Sequence, residues 1–194
     1  MFAALASSVA AAGATVYSID AGHSAVGFKV RHMMVSVVSG RFARFSGEFS
    51  YDAKNIQAGK ARATIDAASI DTGVAHRDDH LRGPDFFDAE KFPTLEFSST
   101  GVQVAKDGKA KLLGALTMHG ISRPVALDLE MGGTVNVGGA SHAGFVASGA
   151  VSRKDFGMTW NKALEAGGVA VGDEVRIVLE IEGVEKKPGA AKKK

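Results

Sequence analysis

The sequence predicts an all-β protein: an antiparallel up-and-down β-barrel of about eight strands with short helical caps. Three observations lead there. Runs that alternate apolar and polar residues at period two recur from residue 16 to residue 181, the spacing of half-buried strands. Short turns separate most of them, which favours nearest-neighbour hairpins. Helical signal is confined to two interruptions, and a meander of this many strands removes its exposed edges by closing on itself.

Taken in order, residues 16–20 form a short strand and Ala21-Gly22 a turn. Val26, Phe28, Val30 and His32 then share one face, and Ala25, Gly27, Lys29 and Arg31 the other. The large side chains of that strand point inward, which makes His32 an imidazole at an inward position. Between residues 40 and 51 aromatics dominate. Phe42 and Phe45 are three apart and cannot share a face of a regular strand, so a bulge is expected near Ala43-Arg44. Residues 54–60 are a polar loop. Residues 61–70 alternate again with Ala63, Ile65 and Ala67 inward, and small alanines opposite phenylalanines leave room inside rather than fill it.

Leu95 and Phe97 lead a strand to about Val104, residues 106–109 make a hairpin turn, and Leu112, Gly114, Leu116 and Met118 form the return strand. Residues 119–122 turn the chain once more. Val125, Leu127, Leu129 and Met131 alternate with Ala126, Asp128 and Glu130. Gly132-Gly133 and Gly138-Gly139 flank a stretch expected to be irregular, and residues 145–152 resume as strand. The pattern breaks over 153–160, a helical turn is expected over 161–166, and Val175, Ile177, Leu179 and Ile181 close the sheet with Arg176, Glu180 and Glu182 outward.

At 194 residues and 45% apolar composition, the chain holds one sizeable core. There is no cysteine, which excludes disulfides, thiolate metal sites and a cysteine nucleophile. The formal charge of +2 misleads. Without the five lysines of residues 186–194, 18 basic residues face 21 acidic ones, about −3 for the body. A nucleic-acid binder shows a basic folded face, and this body offers none in sequence. Residues 1–14 are small and uncharged. They read as the hydrophobic part and cleavage region of a secretory signal, with Ala12-Gly13-Ala14 as its A-x-A site. They are too short to span a bilayer. The expected organisation is a signal remnant over 1–14, a barrel domain over 15–185 and a lysine-rich tail over 186–194, in a periplasmic or secreted protein.

Residues 76–93 depart from the alternation. Charged, imidazole and aromatic side chains crowd there, and Gly83-Pro84 forbids one long helix. Two helical turns, over 76–82 and 85–90, are expected to cap the mouth of an apolar cavity.

Several spaced motifs carry a resemblance. Asp20-Ala-Gly-His23-Ser24, Phe28-Lys-Val30-Arg-His32 and Gly40-Arg-Phe42 resemble the opening of the YceI-like, polyisoprenoid-binding family. Ser69-Ile70-Asp-Thr72, Arg77-Asp78-Asp-His80-Leu81, Asp85-Phe86-Phe87-Asp88 and Phe92-Pro93 resemble its central signature. Gly114-Ala-Leu116-Thr117 and Arg153-Lys-Asp155-Phe156-Gly157 follow in order. The resemblance covers about residues 17–185. It implies a lipocalin-like barrel, usually exported, that encloses a long apolar tunnel for an isoprenoid chain. It also implies binding or carriage rather than catalysis, with the bound lipid in place of any cofactor. No nucleic-acid partner and no stable membrane insertion are expected, and pairing of two barrels is left open.

The expected lining is Phe28, Val30, Phe42, Phe45, Phe49, Ile65, Leu95, Phe97, Leu116 and Met118. Burying an isoprenoid is worth about 0.8 kcal/mol per methylene equivalent. At the polar end, His32, Arg77, Asp78, His80, Arg82, Arg153 and Asp155 are candidates for a head-group site or lid. Arginine forks suit phosphate oxygens, but ion pairs of Arg77 with Asp155, or Arg153 with Asp78, would clamp the mouth instead. Two rivals stand beside this. His76 and His80 are four apart and share a helical face, as in a metal-dependent hydrolase. However, Arg77 stands where a zincin has glutamate, and His23, His119, His142, Asp78 or Asp79 would have to complete the site. The other rival is a structural barrel filled by its own side chains, without ligand.

Overall fold

The computed structural model describes residues 13–165 and 167–187; the expectations for the first twelve residues, for Ala166 and for residues 188–194 lie outside the described residues. In chain order the strands are β1 (Thr15–Ile19), β2 (Ala25–His32), β3 (Ser36–Phe42), β4 (Phe45–Tyr51), β5 (Lys60–Asp66), β6 (Ile70–Asp71), β7 (Thr94–Val104), β8 (Ala110–Met118), β9 (Ile121–Val137), β10 (Ala140–Ser152) and β11 (Val171–Glu185), with helix α1 (Ala75–Arg82) between β6 and β7. Three successive strand pairs, β1–β2, β3–β4 and β5–β6, are single staves with a kink. The segments therefore make a closed antiparallel barrel of eight staves in simple meander order. Closure comes from β11, which pairs with β10 on one side and with both β2 and β1 on the other.

The kinks are hydrogen-bonded to one another. Where β3 gives way to β4, Ala43 N donates to Ser69 O at 3.0 Å, and Asp66 N donates to Arg44 O at 2.9 Å. The neighbouring stave breaks at the same level through a 3-10 turn over Ala67–Ser69, fastened by Ala68 N donating to Asp66 Oδ1 at 2.9 Å. Breaking two staves in step keeps every backbone donor at the break partnered. It also lets Phe42 and Phe45 face the same interior.

Three expectations are corrected. The irregular stretch around 132–139 is strand: β9 and β10 pair up to Val137 and Ala140, joined by Gly138-Gly139 with φ +59° and +77°. Those are the two left-handed positions a tight hairpin requires. The irregularity shrinks to one register shift at Gly144/Phe145. Residues 85–90 are turns rather than helix. Asp88 adopts φ +45°, and the amides of Phe87, Asp88 and Ala89 donate back to the carbonyls of Leu81, Gly83 and Arg82. The chain is thereby folded over the C-terminus of α1, where orphan carbonyls need donors. Residues 161–165 are not a helical turn either. Ala163 pairs with Val169 as a small antiparallel bridge, and the Asn161 side chain holds both backbone groups of Val171.

Two clusters of buried side chains divide the interior. One, toward the α1 end, contains Phe42, Ile65, Ile70, Leu95, Leu116, Met118, Phe156 and Met158. The other contains Tyr17, Phe49, Leu112, Leu127, Phe145 and Ile181. Rings lie flat on glycines: a Cβ on Gly114 would stand 2.6 Å from the Phe97 ring, and one on Gly183 2.6 Å from Phe49. Gly114→Ala should therefore overpack the wall. It should lower stability by about 1–3 kcal/mol, read as a shifted urea midpoint at unchanged slope.

Candidate functional site

The staves surround an apolar cavity of about 180 Å³. Its wall is built by inward positions of nearly every strand, because period two sends alternate residues of each stave to the same interior. Apart from Arg62 and Arg153, every lining residue is apolar. The Arg62 guanidinium is held by Glu48 at 2.6 Å.

All ten residues expected to line a tunnel stand on this wall: Phe28, Val30, Phe42, Phe45, Phe49, Ile65, Leu95, Phe97, Leu116 and Met118. Ala61 and Ala63 leave width opposite Phe49 and Phe97. Sequence reasoning passed over Leu81, Phe86 and Phe87 beneath the α1 segment, Met158 and Val171 in the second interruption, and the inward side of β11, Val175, Ile177, Leu179 and Ile181. The β11 residues carried the same alternation and were assigned only to closure. The cap residues carried no periodic signal, since turns have no period.

At the end opposite α1, three rings pack together. Tyr17 stacks on Phe49 at 5.3 Å, and Phe49 meets Phe145 edge-on at 5.1 Å. At the α1 end the cap is joined from both interruptions. His80, Phe86 and Trp160 make a three-ring contact with centroids 4.9–5.3 Å apart, and Phe87 meets the wall ring Phe42 edge-on at 5.5 Å.

The charged candidates at this end hold backbone. Arg77 donates through Nε to Thr72 Oγ1 and through Nη2 to Thr72 O, at 2.7 and 2.9 Å. Buried Asp78 accepts from the amide and the hydroxyl of the same Thr72. Arg82 donates to the carbonyls of Ala68 and Ile70 and pairs with Asp79. His80 Nε2 lies 2.9 Å from Asp85 Oδ2. Arg153 is 3% exposed and donates to the carbonyls of Met158, Trp160, Val171 and Gly172 and to Asp173 Oδ1. The expected clamps are therefore corrected: Arg77 does not reach Asp155, nor Arg153 Asp78. Asp155 is exposed and contributes its carbonyl to Arg123. Each arginine finds nearby carbonyls, because a cap made of turns leaves them without secondary-structure partners. His32 is half-buried at the end of β2, opposite Ser36 and Val171, and does not line the cavity.

Among the described residues, one group of three metal-ligating side chains comes together: Asp20, His23 and Glu182. It lies at the β1–β2 kink. There the hydrogen bond from His23 holds the Asp20 carboxyl below its ordinary value, and the same contact raises the imidazole. His76 and His80 join no such group. His119 Nδ1 donates to Phe156 O at 3.0 Å, and His142 Nδ1 meets Glu182 Oε1 at 2.9 Å.

A closed eight-stave antiparallel barrel around an apolar cavity has the lipocalin-like architecture. The chain matches the YceI-like domain over residues 17–183 and belongs to the YceI-like family. It is 41% identical to a UPF0312 protein of Vibrio vulnificus over 151 residues, 76% of this chain and 80% of that one. The crystal structure of Burkholderia cenocepacia BcnA is similar with a TM-score of 0.70 at 26% identity, over 84% of this chain and 98% of that one. A polyisoprenoid binding domain from Saccharophagus degradans shares the fold, with a TM-score of 0.64 at 15% identity over 89% and 99% of the two chains.

Two tests address the cap. Arg153→Met strips several cap carbonyls of their donor and should cost about 3 kcal/mol in chemical denaturation. Asp173 is held below its ordinary 3.8, first by the Lys154 ammonium and then by Arg153, with its partial burial opposing. A lowered carboxyl contributes stability that is present above its unfolded value and lost as pH falls through the folded one. Stability of the parent chain should thus decline more steeply below pH 3.8 than that of Asp173→Asn, measured by thermal midpoint against pH.

Proposed function

We propose that the protein binds and carries a long-chain amphiphilic lipid, most simply a polyprenyl chain or an isoprenoid quinone, in the periplasm or outside the cell. The observation that carries this reading is the cavity itself: a hollow barrel whose wall is apolar on all sides. An apolar cavity of ~150 Å³ already stays dry and takes a hydrocarbon guest. Each buried isoprene unit would supply about 4 kcal/mol before ordering costs. The ligand class printed for the Saccharophagus degradans domain supports the reading only through the shared fold. The signal-like leader supports export. The chain enters at the α1 end and its head group stays under the cap. Carriage, rather than chemistry on the lipid, suits a wall with no nucleophile on it.

The protein purified from its native host and extracted with organic solvent should release about one long-chain lipid per chain by mass spectrometry. An empty extract would overturn the proposal. Phe97→Arg or Ile65→Arg places a cation on the wall and should abolish uptake, whereas neutralising the lysines of the tail should not. An empty void of this size costs about 4 kcal/mol at ~24 cal/mol per Å³. Delipidated protein should therefore melt roughly 10 °C below the loaded form, and added lipid should restore it.

A further inference from the structure

The β2–β3 hairpin ends in a tip that neither the cavity nor the cap requires to be apolar. Met33, Met34, Val35 and Val37 are 46%, 57%, 82% and 54% exposed. Met33 and Met34 both adopt left-handed backbone, φ +48° and +62°, in a turn closed by Val35 N donating to His32 O at 3.1 Å. Such a turn takes Asn-Gly by preference, and a methionine at either position is strained. Two flexible apolar side chains are thus presented to solvent at the expense of the backbone.

The outer face behind this tip is cationic. Register places Lys29 opposite Arg176 on β11, Arg31 opposite Val37, and Arg41 opposite Gly27. Lys29 and Arg31 are exposed, and among the described residues neither has an acidic partner, whereas Arg41 is paired with Asp71 and Arg176 with Glu174. Across the same end of the barrel the α1 segment has an acidic excess, with Asp78, Asp79, Asp85, Asp88 and Glu90 against Arg77, Arg82 and Lys91. An anionic surface is therefore attracted at one lip of the barrel and repelled at the other. The tip also adjoins the cavity. Met33 N donates to Ala170 O at 2.9 Å, and the adjacent Val30 and Val171 line the wall.

We propose that this hairpin docks the protein on an anionic phospholipid bilayer. Its methionines and valines enter the headgroup boundary, and Lys29 and Arg31 lie over the phosphates, as in peripheral amphipathic anchors. Docking is carried by the tip and the patch alone. That it serves lipid exchange through the α1 end rests on the lipid-carrier reading above.

The test is sedimentation with vesicles of phosphatidylglycerol and phosphatidylcholine against vesicles of phosphatidylcholine alone. The full chain should bind the anionic vesicles and release them as salt screens the charges. Lys29→Glu with Arg31→Glu should weaken binding by about tenfold or more, from the attraction each cation contributes near the surface. Met33→Asn with Met34→Gly relieves the turn, so its thermal midpoint should hold or rise while vesicle binding falls by a similar factor. Equal binding to both vesicle types, or parent-like binding by either variant, would overturn the proposal. So would a dimer seen by light scattering that the tip variant loses without any change in vesicle binding, because the tip would then cover a second copy. Uptake of an apolar fluorophore in vesicle-free solution should be unchanged in both variants. Absence of uptake in the parent chain would sink the cavity reading and leave docking standing.

Discussion

Strand β11 is fifteen residues long and pairs on one side with two strands in succession, β2 along its first part and β1 along its last three paired positions. That double pairing closes the ring, and everything else follows from closure. Because β1 and β2 lie against one straight partner, the chain between them must bulge outward. The backbone of Glu182, left facing the bulge, would be stranded if nothing reached it. Asp20 N donates to its carbonyl, and Ser24 Oγ both donates to that carbonyl and accepts from its amide. The Asp20–His23 pair then ties off the turn. The group of Asp20, His23 and Glu182 thus holds a backbone bend.

A closed sheet of eight staves has an interior that side chains can just fill, so a cavity here needs a reason. The reason is volume. Gly114 and Gly183 let phenylalanine rings lie back against the sheet, and Ala61 and Ala63 stand opposite Phe49 and Phe97. Rings pulled to the wall leave the axis open. Away from α1, Tyr17, Phe49 and Phe145 pack ring against ring. The cavity wall runs from Phe87 and Met158 at the α1 mouth to Phe49, Leu112 and Phe145 at the other end.

The mouth is covered by turns rather than regular structure, and turns leave carbonyls without partners. Arg77, Arg82 and Arg153 supply donors in the fork geometry that lets one side chain satisfy two to five acceptors. Burial pulls the Arg153 pKa down from its ordinary value, with Asp173 opposing. It remains a cation, since arginine is not deprotonated in proteins. The arginines thus act as struts for a cap that Trp160, His80 and Phe86 seal with rings.

Much of this was legible in the residues themselves. Alternation at period two assigned Phe28, Val30, Ile65, Leu95, Phe97, Leu116 and Met118 to the interior, because a strand leaves its side chains only two directions. The three-residue offset between Phe42 and Phe45 located a break at 43–44 for the same reason. Illegible were the features that depend on what comes near from elsewhere in the chain. Residues 85–90 and 161–165 are too short to reveal by composition whether their amides close a helix or reach another segment. Leu81, Phe86 and Phe87 carry no period that aims them at the cavity. Asp78 and Asp155 are equally plausible partners for an arginine until geometry gives Arg77 to Thr72 and Arg153 to Asp173. Local sequence determined which face of each strand is apolar, since that is a matter of neighbours two residues apart. Only the closed tertiary structure decided that those faces enclose space and which charges hold the cap, since both depend on distances between residues far apart in the chain.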